Sequence, residues 1–370
     1  MKTRHVGPTE YNLVRFLMLL NIWWIGTRLY KNPFKAFGVV RSLIRSFTEM
    51  MGHKKLVRAF KTDGKYHWDM FNPAWPSKGF DAFFRTHLLE LQPIDGNEQL
   101  LRRILIAITK RCPLSCEHCS EADTLYQKDI LSFEDFSERI DRFVDKGVGQ
   151  LVYSGGEPLS RFEDLIRFLE RYKDRCDQWI YTSAFGLTPD KAKALKAAGL
   201  NGAAVSLDHH LEEEHNRFRG NNKSFYWVLE GIKNLQNEGI LVSINVCPTK
   251  AYIAAGGPSK MVEFANQHGI SIVNFLEPRA VGAYANKDVE LNQEEKDILH
   301  KLSLNYNFDK SLYAYPTVLF PAGYRKALPC GGGRSYLLLD YDGTLYPCPF
   351  CKTKLPAVPE PSEERLCAAS

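Results

Sequence analysis

"ILIAITKRCPLSCEHCSE", residues 104–121, joins a β-branched apolar run directly to three cysteines. Residues 104–109 have the length and composition of a buried strand. Behind them Cys112, Cys116 and Cys119 fall within eight positions, a third of the nine cysteines in the chain. That is one ligand short of a four-cysteine zinc site and one too many for a disulfide. Three thiolates at this spacing suggest a metal with one coordination position left open.

The strand pattern continues beyond the cysteines. β-Branched runs recur at QLVYS (150–154), WIYTS (179–183), AAVSL (203–207), LVSINV (241–246) and SIVNFL (271–276). Segments with helical apolar spacing separate them, such as FEDFSERIDRFVDKG (133–147) and FYWVLEGIKNLQNEG (225–239). Ser132 with Asp135 predicts a capping box, and Thr188 followed by Pro189 predicts an N-cap and a first helical residue. Gly147, Gly199, Gly239 and Gly269 stand where helices should stop. Six strand–helix units in series imply the α/β class, with a parallel sheet and right-handed crossovers. Six is short of a closed eight-unit barrel. The expected fold is therefore a partial (βα)6 TIM-like barrel over residues 101–290. Chemistry in such folds gathers at the carboxyl ends of the strands, where the cysteine loop begins.

The first hundred residues carry no recognisable motif and have helical spacing. Residues 1–65 hold thirteen Lys/Arg against three Asp/Glu, a net +10 in a chain whose total is +5. The apolar run from Phe16 to Gly26 is about half the ~20 residues that a membrane-spanning helix needs. No small-residue cleavage site follows it, which argues against a signal peptide. Trp23 and Trp24 beside Arg28, Lys31, Lys35, Arg41 and Arg45 suggest helices lying in an anionic membrane interface. The competing reading is a helical cap packed on the barrel. Nucleic acid is disfavoured, because no binding motif accompanies the charge. The clustered thiols favour metal over disulfides, which places the chain in the cytoplasm, with peripheral attachment to the inner membrane face as an option.

Zinc, with His118 as fourth ligand, competes for the three cysteines, but His118 is adjacent to Cys119 and simultaneous ligation is strained. A cubane iron–sulfur cluster fits better, with three cysteines on three irons and the fourth iron open. Cys112-x3-Cys116-x2-Cys119 after the first strand of a partial barrel resembles the radical S-adenosylmethionine (SAM) enzymes. The resemblance implies that the open iron of a 4Fe–4S cluster chelates SAM. Reductive cleavage then yields a 5′-deoxyadenosyl radical that abstracts a substrate hydrogen. It implies further that His118 lies against the adenine, and that SGGEP (154–158) supplies Gly155, Gly156 and Glu157, with Glu157 on the SAM ammonium. By the same resemblance Ser183, Ser206, Asp208 and Asn245 at successive strand ends approach SAM, and Arg219 in HNRFRG (215–220) clamps its carboxylate.

After a connection over 291–327, with a helix expected at 293–303 capped by Asn292 and Glu295, residues 328–370 form a cysteine-bearing unit. YLLLDYDGTLYP (336–347) reads as a hairpin turning at Asp342-Gly343. Cys330-x12-Gly343-x4-Cys348 resembles the opening of a SPASM or twitch extension. The resemblance implies a second, auxiliary 4Fe–4S cluster on Cys330, Cys348, Cys351 and Cys367; a zinc ribbon is the alternative. Cys176 and Cys247 read as small buried residues, and His209 and His210 as a solvated loop pair. The leading expectation is a radical SAM enzyme that oxidises or crosslinks a peptide or protein, served by a reductant such as flavodoxin or ferredoxin. Modification of a membrane lipid or isoprenoid is the first alternative, and a non-catalytic zinc-binding membrane adaptor the second.

Overall fold

The computed structural model describes residues 3–50, 58–94, 101–325, 330–352 and 355. Cys367, expected as an auxiliary ligand, lies outside the described residues. Chain order runs β1 (Arg4–His5), α1 (Pro8–Tyr30), α2 (Pro33–Met50), β2 (Phe60–Thr62), β3 (Lys65–His67) and α3 (Lys78–Leu91). The barrel units follow: β4 (Arg103–Thr109), α4 (Phe133–Val144), β5 (Gln150–Gly155), α5 (Phe162–Tyr172), β6 (Asp177–Thr182), α6 (Pro189–Ala198), β7 (Gly202–Ser206), α7 (Glu212–Arg219) and α8 (Ser224–Asn237). Then come β8 (Leu241–Val246), α9 (Lys250–Ala254), α10 (Gly257–Gln267), β9 (Ile272–Phe275), α11 (Gln293–Phe308), β10 (Thr317–Leu319), β11 (Tyr336–Leu339) and β12 (Leu345–Tyr346).

The six expected strands form one parallel sheet in sequential order, β4 to β9, and the fold is a partial TIM-like α/β barrel. The helix signals hold. Ser132 and Asp135 make a reciprocal capping box, Thr188 accepts from the Lys191 backbone, and Asn292 with Glu295 caps α11. Successive residues of each strand point alternately inward and outward. Ile104, Ile106, Tyr153, Ile180, Ile244 and Val273 join the layer beneath the helices. Leu105, Ala107, Val152, Trp179, Leu241 and Ile272 fill the lumen. Both faces are buried, which explains why the runs read as continuous apolar stretches.

The sheet is wider than six. β10 adds in parallel beside β9, and β11 adds in parallel beside β4, with Tyr336 opposite Arg103 and Leu339 opposite Ile106. The hairpin turning at Asp342-Gly343 forms, with Gly343 at φ 86°. Its first strand, however, belongs to the barrel sheet rather than to a unit apart.

Residues before the barrel, expected to be helical throughout, also contain the antiparallel sheet β1–β2–β3. Together they close the barrel floor, at the amino ends of the strands. Phe60 and Met70 enter the lumen cluster with Trp179. Thr62 Oγ1 donates to the Gly239 carbonyl two residues before β8, and Gln150 Nε2 donates to the Met70 carbonyl. Buried Arg58 donates to the carbonyls of Leu312, Tyr313 and Pro316, just ahead of β10. Helix α3 packs so tightly on the floor that a Cβ on Gly79 would sit 2.6 Å from the Asp177 nitrogen. The floor is thus covered by these elements, and the carboxyl ends of the strands lie at the opposite end of the barrel.

Candidate active site

At those carboxyl ends the cysteine loop is held by three separate stretches of backbone. Gly155 and Gly156 run beside its start: Gly156 N donates to the Thr109 carbonyl and Glu157 N to the Arg111 carbonyl, both at 2.7 Å. A Cβ on Gly155 would lie 2.2 Å from the Thr109 oxygen, and one on Gly156 would lie 2.3 Å from the Arg111 oxygen. Its middle pairs with the end of α7, where Ser115 N donates to Arg219 O and Glu117 N to Phe218 O. Its last cysteine is met by Ala283 N, which donates to the Cys119 carbonyl at 2.9 Å.

This cradle gathers the three thiols. Burial pushes Cys112 up to about 12, and the nearby Glu157, Cys116 and Cys119 charges push the same way. Cys116 and Cys119 are likewise raised, chiefly by burial. Three half-buried thiols whose ionisation burial opposes, with Cys116 also opposing that of Cys112 and Cys119, are poorly placed as bare thiolates. A bound cation reverses that balance; among the described residues no three such side chains converge on a single metal ion, so the loop suits a larger cluster. The Arg219 guanidinium reinforces it, with Nη1 3.5 Å from Cys116 Sγ. Arg219 Nε also donates to Asp208 Oδ2 at 2.6 Å, and both side chains are buried. Although burial opposes its charge, Asp208 is held below the usual carboxylate range by Arg219, His118 and His215.

Glu157 is 1% exposed. Its Oε1 accepts from Thr182 Oγ1 (2.6 Å) and Leu159 N (3.1 Å), and its Oε2 from Ser183 N (2.7 Å) and Ser183 Oγ (2.6 Å). Burial raises its pKa, against the pull of these donors. All four lone-pair positions are therefore taken within the protein. Ser206 and Asn245 lie opposite one another in the β7–β8 register, and Asn245 Oδ1 accepts from Asn274 Nδ2 at 2.8 Å. His118 stacks on Phe218, with ring centroids 4.8 Å apart and planes at 20°. Burial lowers it to about 4, so its ring is neutral at pH 7. Cys176 and Cys247 are buried, as their isolation in the sequence suggests. His209 and His210 are half-buried and stack on each other, and both rings lie near Tyr252.

Two groups were not foreseen. Lys110, completely buried, lies between Glu121 and Asp340 at the end of β11, and Lys352 bonds the other Glu121 oxygen at 2.7 Å. At the end of β9, buried Glu277 pairs with Arg279 (2.9 Å), Lys296 (2.8 Å) and Arg325 (3.3 Å), and Arg279 also meets Glu290 (3.5 Å). Neither has a local sequence signal, because the partners come together only through the fold. Glu277 and Arg279 line a small cavity of about 40 Å³ with His118, Cys247, Tyr284 and Phe350. In the carboxy-terminal unit Cys330 Sγ lies 3.7 Å from the Tyr336 hydroxyl. Burial raises that hydroxyl's pKa, as do Cys330 and Cys348, while Cys351 N closes a tight turn onto the Cys348 carbonyl.

Residues 106–249 match the family model described as the Radical SAM superfamily. The chain is 28% identical over 274 residues to a GTP 3′,8-cyclase of Sulfurovum sp. (strain NBC37-1), covering 69% of this chain and 81% of that protein. It is 25% identical over 295 residues to a GTP 3′,8-cyclase of Sulfurimonas denitrificans, covering 75% and 89%. Among solved structures, SuiB of Streptococcus suis bound to precursor peptide SuiA superposes with a TM-score of 0.59 at 16% identity, over 78% of this chain and 68% of that one. Native anSMEcpe with bound AdoMet gives 0.53 at 18% identity, over 68% and 75%. Residues 106–249 thus resemble the radical SAM superfamily, and the chain shares its fold with SuiB and anSMEcpe.

Proposed function

We propose that Cys112, Cys116 and Cys119 hold the 4Fe–4S cluster of a radical SAM enzyme. The observation that carries this is the cradle: three half-buried thiols in one loop, pinned by backbone from the end of β5, the end of α7 and Ala283, with a guanidinium against Cys116. When bound, cluster and SAM supply the 5′-deoxyadenosyl radical that takes a hydrogen atom from the substrate. The electron comes from a reductant such as flavodoxin or ferredoxin. The chain's own groups bind and orient. Neutral His118, stacked on Phe218, offers a flat face for the adenine. Gly155, Gly156, Glu157, Ser183, Ser206, Asp208 and Asn245 would hold the rest of SAM, with Glu157 towards its ammonium. Turning the Ser183 hydroxyl away from Glu157 opens one carboxylate lone pair for the SAM ammonium. Arg219, committed in part to Asp208 and Cys116, offsets thiolate charge and has further N–H groups for the SAM carboxylate.

For the substrate we propose a GTP-like purine nucleotide in place of the peptide expected from the sequence. The relatives' name suggests it. The Glu277 cluster supports it as well, with three cations facing two carboxylates at the mouth. Cys330, Cys348, Cys351 and Cys367 would hold the auxiliary cluster; of these, Cys330 and Cys348 lie near Tyr336, the first residue of β11.

Anaerobically reconstituted wild-type protein is expected to be brown, to contain about eight irons per chain if both sites hold cubanes, and to form 5′-deoxyadenosine. Cys112→Ala, Cys116→Ala and Cys119→Ala each abolish that product; wild-type yield in any of the three overturns the cluster assignment. About four irons with one zinc removes the auxiliary cluster but leaves the core. GTP should raise the yield and be consumed with it. If GTP is inert, the nucleotide reading fails, and a peptide or lipid that raises the yield takes its place.

A further inference from the structure

Helix α1 is apolar on both of its faces. Val14, Ile22 and Gly26 are buried on the side towards α2 and α3. Leu13, Phe16, Leu17, Leu20 and Trp24 are between 40% and 58% exposed. Their offsets of 3, 4, 7 and 11 residues from Leu13 make one stripe, on the side opposite Ile22. The hairpin continues it, with Phe34 86% and Phe37 62% exposed at the start of α2. Trp23 Nε1 donates to the Pro33 carbonyl at 3.1 Å and ties the two helices at their connection. Cations border the stripe. Arg28 lies over the Trp24 ring at 5.0 Å, Lys35 over the Tyr30 ring at 5.1 Å, and Arg41 and Arg45 are exposed along α2.

The charge points to the occupant. Residues 1–65 carry a net +10, so a second copy docked on the same face would bring two such segments together. An anionic bilayer satisfies both features at once. Apolar side chains enter the acyl boundary, while Lys and Arg meet the phosphate headgroups. No described helix is long and apolar enough to cross a membrane, so α1 would lie in the plane. The attachment point matters as well. α1 and α2 pack on α3, and α3 packs on the amino ends of β5 and β6, so the hairpin belongs to the closed end of the barrel.

We propose that the α1–α2 hairpin is a docking surface for an anionic phospholipid membrane, set at the barrel floor so that the mouth faces water. This stands apart from the catalytic reading and is read out without activity. Full-length protein is floated with vesicles of phosphatidylcholine plus phosphatidylglycerol, and with phosphatidylcholine alone. It should rise only with the anionic vesicles. Leu17→Glu/Trp24→Ser and Lys31→Glu/Lys35→Glu change exposed side chains only, and each should weaken partitioning at least about tenfold. Hydrogen exchange on vesicles should slow in α1 and α2 and stay unchanged in residues 110–130 and 277–284. No flotation at low salt overturns the proposal. So does wild-type partitioning by both variants, or a dimer that the Leu17→Glu/Trp24→Ser variant dissolves. Protection spreading to the mouth loops overturns the floor placement.

Discussion

Gly155 has φ +130°, and its missing Cβ leaves room for the Thr109 carbonyl 2.2 Å from where that atom would be. The resemblance sets SGGEP towards SAM, and in the structure its first glycine admits a close backbone approach. What approaches is the cysteine loop itself. Gly155→Ala should therefore strain the backbone and push the two segments apart, at a cost on the order of 3 kcal/mol, measured as a lowered urea midpoint. Gly38→Ala is the control. Gly38 lies in α2 with nothing within 4 Å of its virtual Cβ, and that change should gain about 0.5–1 kcal/mol. At this scale the residue types near the thiols were legible, because motif spacing is a local property. The bonds they make were not. That Arg219 reaches Cys116, or that Glu157 is saturated by Thr182, Ser183 and Leu159, depends on side chains from strands far apart in sequence.

The six strands and their helices were legible because each carries its own period and caps. The extra elements show where that reasoning stops. β10 has three residues, too few for a period to emerge. β11 reads as half of a local hairpin, and nothing in YLLL reveals that it also lies parallel to a strand more than 200 residues earlier. The β2–β3 hairpin was available and was missed. Its Asp63-Gly64 turn, at φ 49° and 77°, is the dipeptide signal that located Asp342-Gly343. Lys110 ties β4, the cysteine loop and β11 together. Its charge is favoured by Glu121 and Asp340, against the burial that would lower its pKa. Lys110→Met leaves two buried carboxylates facing one another. It should cost about 3–5 kcal/mol, whereas Lys352→Met, at the exposed rim of the same network, should cost at most about 1 kcal/mol. Chemical denaturation of the two variants decides this; equal effects would show that the network contributes little as a unit.

The molecule as a whole should be sensitive to mild acid. His67 in the floor and His215 beside Asp208 are both buried, and burial holds each at about 3. A histidine with a lowered folded pKa binds fewer protons when folded than when unfolded. Its contribution is complete above about pH 6.5 and is lost as pH falls from there towards 3. Each can contribute about 1.4 kcal/mol per pH unit inside that window, so the pair gives a slope of up to about 2.8. Urea midpoints at pH 7.5 and about pH 5 test it, and a flat profile would mean that neither histidine is neutral in the fold.

The plugged floor also constrains the order of events. Because the floor is covered, a ligand that reaches the strand ends through the mouth also leaves by it. Glu157 and Ser183 lie buried at the ends of β5 and β6, while Glu277 at the end of β9 lines a cavity with His118 and Phe350; on the proposed function the first pair would meet SAM and the second the substrate. A substrate seated at the second would then obstruct traffic to the first. On the proposed function, turnover would be a last-in, first-out queue: SAM would enter before the substrate, the product would leave before 5′-deoxyadenosine, and excess substrate should inhibit by trapping spent nucleoside beneath it.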